Sequence, residues 1–213
     1  MSGVAPVVAA FDVDGTLTER DCVRPFLELV AGRRRVLGSV ARRPVAAFRA
    51  GLRRDRDAVK EIVVGGVLAG RDEANVLDVG RGFADRVERE MLRADVVARL
   101  RWHQEQGHRT VLVSASLRPY LEPLGAALAV DGVLCTDVSV VDGRYTDRLA
   151  GPNCRAAEKA VRLCAWLALH DLEAARLWAY GNSRGDREML AMADHPVWVG
   201  AATVPVVPLE EPS

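Results

Sequence analysis

Three short apolar runs along this chain are each followed closely by a polar side chain. The runs are Val7 to Phe11, Thr110 to Val113 and Leu177 to Tyr180. Asp12, Ser114 and Asn182 stand at or just beyond their ends. The length of the runs and their β-branched residues favour strands that are buried on both faces, as in a parallel sheet.

Segments with helical periodicity separate these strands. Ala94 to Gln106, which stops at Gly107, and Ala156 to His170 are the clearest of them. The alternation of strand and helix indicates an α/β fold with a doubly wound, Rossmann-like parallel sheet, in which ligands bind beyond the carboxyl ends of the strands. The three polar side chains are therefore predicted to meet at one site.

The stretch from about residue 20 to residue 92 breaks this rhythm directly after the first strand. It contains several helix-like segments and few convincing strands, which favours a small inserted helical cap domain. The predicted boundaries are residues 1–19 and 93–213 for the α/β core and 20–92 for the cap. Within the core, Gly132 to Arg148 is typical of a β-hairpin or a pair of edge strands with a turn at 141–144. The tail after Ala201 is predicted to form a final strand and a loose end.

The predicted cap is rich in arginine. Charge runs of this kind are mostly solvated helical surface, and this is the favoured interpretation. Two alternatives stay open: one or two of these side chains, or Lys60, bind an anionic substrate, or the segment contacts a membrane surface or an acidic partner. The arginines are Arg33, Arg34, Arg35, Arg42, Arg43, Arg49, Arg53, Arg54 and Arg56.

Composition narrows the range of partners. Lysine and arginine together number 29, as do aspartate and glutamate, so no overall field attracts nucleic acid and no such partner is expected. No stretch reaches the roughly 20 apolar residues that span a bilayer, which predicts no stable membrane insertion. The four cysteines form no CxxC pair and are interpreted as reduced thiols in a cytoplasmic protein. The oligomeric state stays open.

Asp12 and Asp14 are the first candidates for chemistry. Carboxylates two residues apart in a strand point the same way, and two like charges in a partly buried site require a cation between them. Oxygen ligands favour Mg²⁺ over zinc. One carboxylate can attack phosphorus while the other moves a proton. Because DxDG also occurs in calcium loops and ordinary turns, the pair alone does not decide the function.

Four segments, in this order and spacing, resemble the four motifs of the haloacid dehalogenase superfamily. They are DVDGTLT from Asp12, VLVSAS ending at Ser116, Lys159, and YGNSRGDREML from Tyr180. The most similar branch is subfamily IB, which contains the phosphoserine phosphatases and carries a small helical cap after the first motif. The resemblance extends from about residue 7 to residue 199.

The resemblance implies a role for each matching residue. Asp12 is the expected nucleophile, and Asp14 is the expected general acid and base, whose backbone carbonyl also contributes to a magnesium shell. Ser114 is expected to bind the substrate phosphate with help from Ser116, although a serine at position 114 can also cap a helix. Lys159 is expected to offset the charge of the nucleophile and to bind the transferring phosphoryl group.

Asn182 and Asp186 match the two metal-site residues of the fourth motif. The family more often has aspartate at the first position, so Asn182 retains an oxygen ligand but removes one negative charge. Asp186 is expected to be the stronger anchor for Mg²⁺, directly or through water. The alternative is a strand-to-helix turn capped by Asn182, with Asp186 in the first helical turn.

These observations predict a magnesium-dependent phosphatase that hydrolyses a small phosphorylated metabolite through a phospho-aspartyl intermediate on Asp12. Phosphoserine itself is one candidate substrate: Asp21 stands near the position of the glutamate with which phosphoserine phosphatases read the substrate amine. Lys60 or Arg56 would then read its carboxylate. Two alternatives share the fold: a phosphotransferase that passes the phosphate to an alcohol, and a non-catalytic binding module.

Overall fold

The computed structural model describes residues 5–41 and 56–207. Seven strands occur in the described ranges, and five of them form one parallel sheet in the order β3-β2-β1-β6-β7. The other two, β4 and β5, form an antiparallel hairpin. The strands are β1 (Val7–Phe11), β2 (Arg109–Leu117), β3 (Gly132–Thr136), β4 (Val138–Val141), β5 (Arg144–Leu149), β6 (Arg176–Gly181) and β7 (His195–Trp198).

The central strand β1 is buried on both faces, as its apolar run predicts. Ala9 and Phe11 belong to one hydrophobic cluster, whereas Val8 and Ala10 belong to a second cluster. Alternate side chains of a strand point to opposite faces of a sheet, so the two clusters lie on the two faces of the sheet. The doubly wound α/β fold is confirmed.

Helices cover both faces of this sheet. Helices α5 and α6 contribute to the cluster that contains Phe11, and α7 and α8 contribute to the cluster that contains Val8. The predicted helices at 94–106 and 156–170 correspond to α5 and α7 to within one residue at each end. The helices of the core are α5 (Ala94–Glu105), α6 (Arg118–Ala127), α7 (Ala157–Leu169) and α8 (Arg187–Ala191).

Four described helices lie between β1 and the core helix α5: α1 (Val23–Ala31), α2 (Arg33–Ala41), α3 (Arg56–Leu68) and α4 (Glu73–Glu90). The outgoing and returning segments run side by side. The Glu19 N–H donates to the Met91 carbonyl at 2.9 Å, and the Arg93 N–H donates to the Leu17 carbonyl at 2.9 Å. This pairing lies at the boundaries predicted for the cap, and the division into two domains stays a prediction.

The helical insert and the core share one hydrophobic cluster. Phe26 of α1 and Phe83 of α4 pack against Tyr120 of α6, with ring centroids 4.8 and 5.2 Å from the Tyr120 ring. Of the cap arginines, Arg33 to Arg35 are exposed on α2, which agrees with a solvated surface. Arg42, Arg43, Arg49, Arg53 and Arg54 and the side chain of Arg56 lie outside the part of the chain that the structure describes.

The hairpin of β4 and β5 confirms the turn predicted at 141–144. Asp142 and Gly143 at its tip have φ of 50° and 70°, the left-handed conformation that two-residue hairpin turns require. The Tyr145 N–H donates to the Arg71 carbonyl at 2.9 Å, so the hairpin is attached to the helical insert. Gly132–Thr136 is a separate strand at the edge of the main sheet.

The strand predicted after Ala201 is wrong for residues 201–207, which form bends and irregular backbone. The Val204 N–H donates to Asp95 Oδ2 at 2.9 Å on α5. This segment therefore uses a side-chain acceptor on a helix rather than a strand partner. Within the described residues, every helix is too short or too polar to span a bilayer.

Candidate active site

The first motif forms a tight turn directly beyond β1. The Asp12 N–H donates to the Tyr180 carbonyl of β6 at 2.9 Å, so the turn begins where these neighbouring strands end. Gly15 in this turn has φ of +79°, and a Cβ at this position would lie 2.2 Å from Asn182 Nδ2. A glycine is required because an L side chain would be strained at this φ, and its Cβ would in addition displace the Asn182 amide.

A buried lysine joins two carboxylates at the ends of β1 and β6. Lys159 Nζ on α7 lies 2.6 Å from Asp12 Oδ1 and 2.6 Å from Asp186 Oδ1. All three side chains are at most 8% exposed. The second oxygen of Asp12 accepts a hydrogen bond from the Thr16 hydroxyl at 2.8 Å. The structure thus brings together Asp12, Lys159 and Asp186, which belong to three separate motifs of the sequence.

The electrostatics of this group follow from its burial and its pairing. Burial raises the pKa of Asp12 against the opposing attraction of Lys159. Burial acts in the same direction on Asp186, but Lys159 and the Ser183 donors hold the pKa of Asp186 below its usual value. Although burial lowers the pKa of Lys159, Asp12 and Asp186 raise it above its ordinary value. The lysine is therefore a permanent cation beside Asp12.

Asp14 lies in a different environment two residues further on. Its Oδ1 accepts the Cys22 N–H at 2.8 Å, and its Oδ2 accepts the Ser116 hydroxyl at 2.5 Å. Burial, followed by the charge of Asp21, raises the pKa of Asp14 to about 6. A carboxyl group with a pKa close to neutral can both give and take a proton at physiological pH.

Ser114 lies on β2, the strand adjacent to β1, and is fully buried. Its Oγ accepts the Ser116 N–H at 3.0 Å. Strand β2 continues to Leu117, beyond the predicted end at residue 113, but its pairing with β3 is irregular between Val113 and Leu117. The two serines stand in this irregular part, and their roles toward a phosphate stay a prediction.

The side chains beyond β6 fit a divalent cation bound by oxygen. Asn182 Oδ1 is buried and has no hydrogen-bond partner among the described residues. An unpartnered buried oxygen is costly, and a cation bound there would satisfy it. No three His, Cys, Asp or Glu side chains gather to hold a metal within residues 5–41 and 56–207. A Mg²⁺ site here stays a prediction, and it would use Asp12 and Asp186, the Asn182 amide and the Asp14 backbone carbonyl.

The alternative of a purely structural turn at the fourth motif is correct in part. The residue that caps this turn is Ser183, whose Oγ accepts the Gly185 N–H at 3.1 Å, and not Asn182. Asp186 Oδ2 accepts the Ser183 N–H and hydroxyl, each at 2.8 Å. Asp186 thus shapes the turn and contacts Lys159 at the same time. Asn182 Oδ1 takes part in neither and has no hydrogen-bond partner among the described residues.

The geometry can be compared with that of known proteins. The family model of the haloacid dehalogenase-like hydrolases matches residues 9–191. This chain belongs to that hydrolase family. Protein CicA of Caulobacter vibrioides is 37% identical over 197 residues, which cover 90% of this chain and 85% of that protein. Phosphoserine phosphatase SerB2 of Mycobacterium tuberculosis is 29% identical over 183 residues, or 86% of this chain and 41% of that protein.

Solved structures share the fold of this hydrolase. A protein of unknown function from Bordetella pertussis Tohama I has a TM-score of 0.67 at 25% identity, over 88% of this chain and 87% of that one. A substrate-bound phosphoserine phosphatase has a TM-score of 0.62 at 13% identity, over 90% and 84% of the two chains. The resemblance to this superfamily and to its phosphoserine phosphatases is confirmed.

The predicted readers of the substrate line a cavity that Asp14 also lines. Asp14, Asp12 and Lys159 are the candidate catalytic group of this hydrolase. Asp21 is exposed at this cavity, and its Oδ2 accepts the Arg24 N–H at 3.1 Å. Lys60 lines the same cavity and donates to the Ala115 carbonyl and, at 2.7 Å, to Asn153 Oδ1. The structure thus brings Asp21 and Lys60 to the site, and their contact with a substrate stays a prediction.

The sequence analysis missed three polar residues of the site. Thr16 binds Asp12, and Tyr120 donates its hydroxyl proton to Ser116 Oγ at 2.7 Å. Asn153 Oδ1 accepts from Lys60 and, at 2.8 Å, from the Thr136 hydroxyl. Thr16 belongs to the first motif and Tyr120 stands four residues after Ser116 at the start of a helix, so both left a signal. Asn153 lies in a loop and left none.

Proposed function

We propose that this hydrolase is a magnesium-dependent phosphatase that acts on a small phosphomonoester through a phospho-aspartyl intermediate on Asp12. The observation that supports this best is the contrast between two carboxylates of one turn. Asp12 is paired with the permanent cation of Lys159, whereas Asp14 has a pKa of about 6. Burial raises the pKa of both carboxyl groups, but Asp12 has the Lys159 cation at 2.6 Å to favour its ionised form. Asp14 accepts only from uncharged donors and can hold a proton, so the two environments favour Asp12 as the nucleophile and Asp14 as the general acid.

In the first step, an oxygen of Asp12 forms a bond to phosphorus as the bond between phosphorus and the ester oxygen breaks. The departing oxygen takes the electron pair of that bond and receives the proton of Asp14. Lys159 offsets the charge of Asp12 and of the phosphoryl oxygens, and Ser114 donates a hydrogen bond to one of them. Placement and charge compensation supply most of the catalysis in such a transfer.

In the second step, water attacks phosphorus and gives its proton to Asp14. The acyl phosphate bond then breaks, its electron pair returns to the Asp12 carboxylate, and inorganic phosphate leaves. Bound Mg²⁺ would supply positive charge against the phosphoryl oxygens. The residues that would hold it are Asp12 and Asp14, the latter through its backbone carbonyl, together with Asn182 and Asp186.

The test is an assay of the purified protein against phosphomonoesters that include phosphoserine and a generic aryl phosphate, with and without Mg²⁺. We expect phosphate release that requires Mg²⁺ and that Asp12→Asn abolishes. Asp85→Asn, which removes an exposed carboxylate from α4, is the matched control and should keep full activity. Turnover by Asp12→Asn at the wild-type rate would overturn the assignment of the nucleophile.

The same assay separates the alternatives. Transfer of phosphate to an added alcohol in preference to water identifies a phosphotransferase with the same catalytic set. A protein that releases no phosphate from any ester is better explained as a binding module. A marked preference for phosphoserine would assign Asp21 and Lys60 as its readers.

A cytoplasmic location and a small phosphorylated metabolite as the partner belong to this proposal. The four cysteines are free thiols, three of them buried, and free thiols persist in reducing compartments. The balanced charge of the chain supports a small-molecule partner rather than nucleic acid.

A further inference from the structure

A cavity of about 700 Å³ connects the catalytic group to the helical insert. Asp14 and Ala115 line it on the side of the sheet, and residues of α1, α2 and α3 line the opposite side. Its volume falls within the range of about 300–1,000 Å³ that is typical of small-molecule sites. Any leaving group that departs from a phosphate at Asp12 and takes its proton from Asp14 must therefore lie in or near this cavity.

The side of the cavity formed by the helical insert is mostly aliphatic, although Asp21, Arg24 and Lys60 also belong to it. The six apolar side chains that line it come from three helices, so they form a continuous surface rather than an isolated exposed residue. Such a surface is poorly suited to a polyhydroxy or zwitterionic group, because each polar atom that it covers loses its water without gaining a partner. The side chains are Val23, Leu27, Val36, Val59, Val63 and Val64.

Five of the six polar side chains that line the cavity already contact other groups of the protein. The sixth is Arg155, whose guanidinium has no hydrogen-bond or ion-pair partner among the described residues. Both oxygens of Asp14 accept hydrogen bonds. Arg24 Nε lies 2.9 Å from Glu28 Oε1 in a surface ion pair, and Asp21 accepts the Arg24 N–H. Lys60 donates to the Ala115 carbonyl and to Asn153 Oδ1. An amino-acid substrate would have to replace these contacts or be bound by Arg155 alone, whereas an alkyl chain requires neither.

We infer that the substrate is the phosphate monoester of an aliphatic alcohol, whose chain lies along the six apolar side chains with its phosphate at Asp12. This inference rests on the proposed phosphatase function and adds the chemical class of the leaving group. Removing one methylene group from water favours binding by about 0.8 kcal/mol, which corresponds to about fourfold in affinity. The chain length of the alcohol should therefore determine kcat/KM until the cavity is filled.

The experiment measures kcat/KM with Mg²⁺ for ethyl, butyl and hexyl phosphate, all below the concentration at which they form micelles, and for phosphoserine. We expect kcat/KM to rise by about fourfold for each added methylene and hexyl phosphate to exceed phosphoserine. A flat or falling series, or a preference for phosphoserine, would overturn the inference while leaving the phosphatase intact. Absence of hydrolysis for every ester would overturn the proposed function instead.

A variant pair locates the effect. Val59 is 38% exposed at the cavity, so Val59→Asp places a charge beside the chain without disturbing the buried core. We expect the ratio of kcat/KM for hexyl over ethyl phosphate to fall by at least tenfold, and the phosphate common to both esters cancels in this ratio. Val161→Asp, on an exposed position of α7, should keep the wild-type ratio. Equal ratios in both variants and the wild type would place the chain elsewhere and contradict the inference.

A binding measurement makes the result independent of turnover. Calorimetry with Asp12→Asn should show hexyl phosphate binding more tightly than ethyl phosphate, with the negative heat-capacity change that accompanies burial of apolar surface. Equal affinity for the two esters would contradict the inference even if the kinetic series rose.

Discussion

The catalytic group and the cavity beside it are built on opposite principles. The Asp12, Asp14 and Lys159 side chains make hydrogen bonds and ion pairs, which are buried at Asp12 and Lys159 and partly buried at Asp14. On the side formed by the helical insert, aliphatic side chains predominate. Satisfied polar networks hold side chains rigidly in place, whereas apolar surfaces select a ligand by its size and shape. Under the proposed function, the type of reaction depends on the polar residues and the choice of substrate depends on the apolar cavity, which are separate parts of this molecule.

Lys159→Met tests the polar part of the site, because it removes the cation that Asp12 and Asp186 share. This change leaves Asp12 and Asp186 buried without their shared cation, and removing one partner of a buried pair costs about 3–5 kcal/mol. We expect the free energy of unfolding, measured with urea, to fall by that amount and turnover to be lost. Arg187→Met on the exposed face of α8 is the control, and a loss of similar size there would mean that Lys159 has no special role.

Mild acid tests whether the stability of the fold depends on a titrating group, His103, that lies outside the candidate catalytic residues. Burial, together with His108 and Arg99, lowers the pKa of His103 from 6.5 to about 3. Between these values the unfolded chain binds the proton and the folded chain does not, so stability from this source falls as the pH drops below about 6.5. At pH 5 the loss should be about 2 kcal/mol.

The measurement is urea unfolding at pH 7.5 and pH 5 for the wild type and for His103→Gln. The variant lacks the His103 contribution, so its change in stability from pH 7.5 to pH 5 should be more favourable than that of the wild type by about 2 kcal/mol. His103 is hydrogen-bonded to His108 Nδ1 and to the Tyr180 hydroxyl, each at 2.8 Å. The variant changes these bonds, so it will also be less stable than the wild type at both pH values. A pH dependence as steep as that of the wild type would contradict the assignment to His103.

Ser116→Ala probes the support of the general acid. It deprives both Asp14 Oδ2 and the Tyr120 hydroxyl of a partner, and a buried polar group left unpaired costs about 1–3 kcal/mol. We expect lower stability and slower phosphate release from an aryl phosphate. Tyr120→Phe is the matched variant: Ser116 keeps its bond to Asp14, so the loss of turnover should be smaller. A larger effect from Tyr120→Phe would show that the order of the network is misassigned.

The smallest effect concerns the affinity for Mg²⁺. Asn182→Asp adds a negative charge where an unpartnered oxygen now lies, so the concentration of Mg²⁺ that gives half-maximal activity should fall several-fold. Asn182→Ala removes the oxygen and should raise that concentration. If neither variant changes the requirement for Mg²⁺, Asn182 does not contact the metal.

The polar end was largely predictable from the sequence, and the apolar cavity was not. A short apolar run that ends at Asp12 predicts a strand and a site at its end, because buried strands carry their own pattern. Lys159 and Asp186 could be assigned because family motifs carry chemistry in fixed order. Even there, the sharing of Lys159 between two carboxylates depends on tertiary geometry, which no local pattern encodes.

The cavity depends on how three separate helices pack. Val23, Val36 and Val63 are ordinary apolar positions in three amphipathic segments, and nothing in the sequence says that they face one space. The arginines were the more conspicuous signal of the cap, but Arg33 to Arg35 are solvent-exposed. The capping residue of the fourth motif was misassigned for a similar reason, since both Asn182 and Ser183 are good caps and only the backbone decides.

Trapping the covalent intermediate tests directly whether Asp12 is the nucleophile. The wild-type protein is mixed with an aryl phosphate and Mg²⁺, quenched within one turnover, and reduced with borohydride, and the modified residue is located by mass spectrometry. We expect the wild-type protein to be modified at Asp12 and the Asp12→Asn variant to carry no modification. Modification at another residue, or rapid phosphate release with no trapped enzyme, would contradict it.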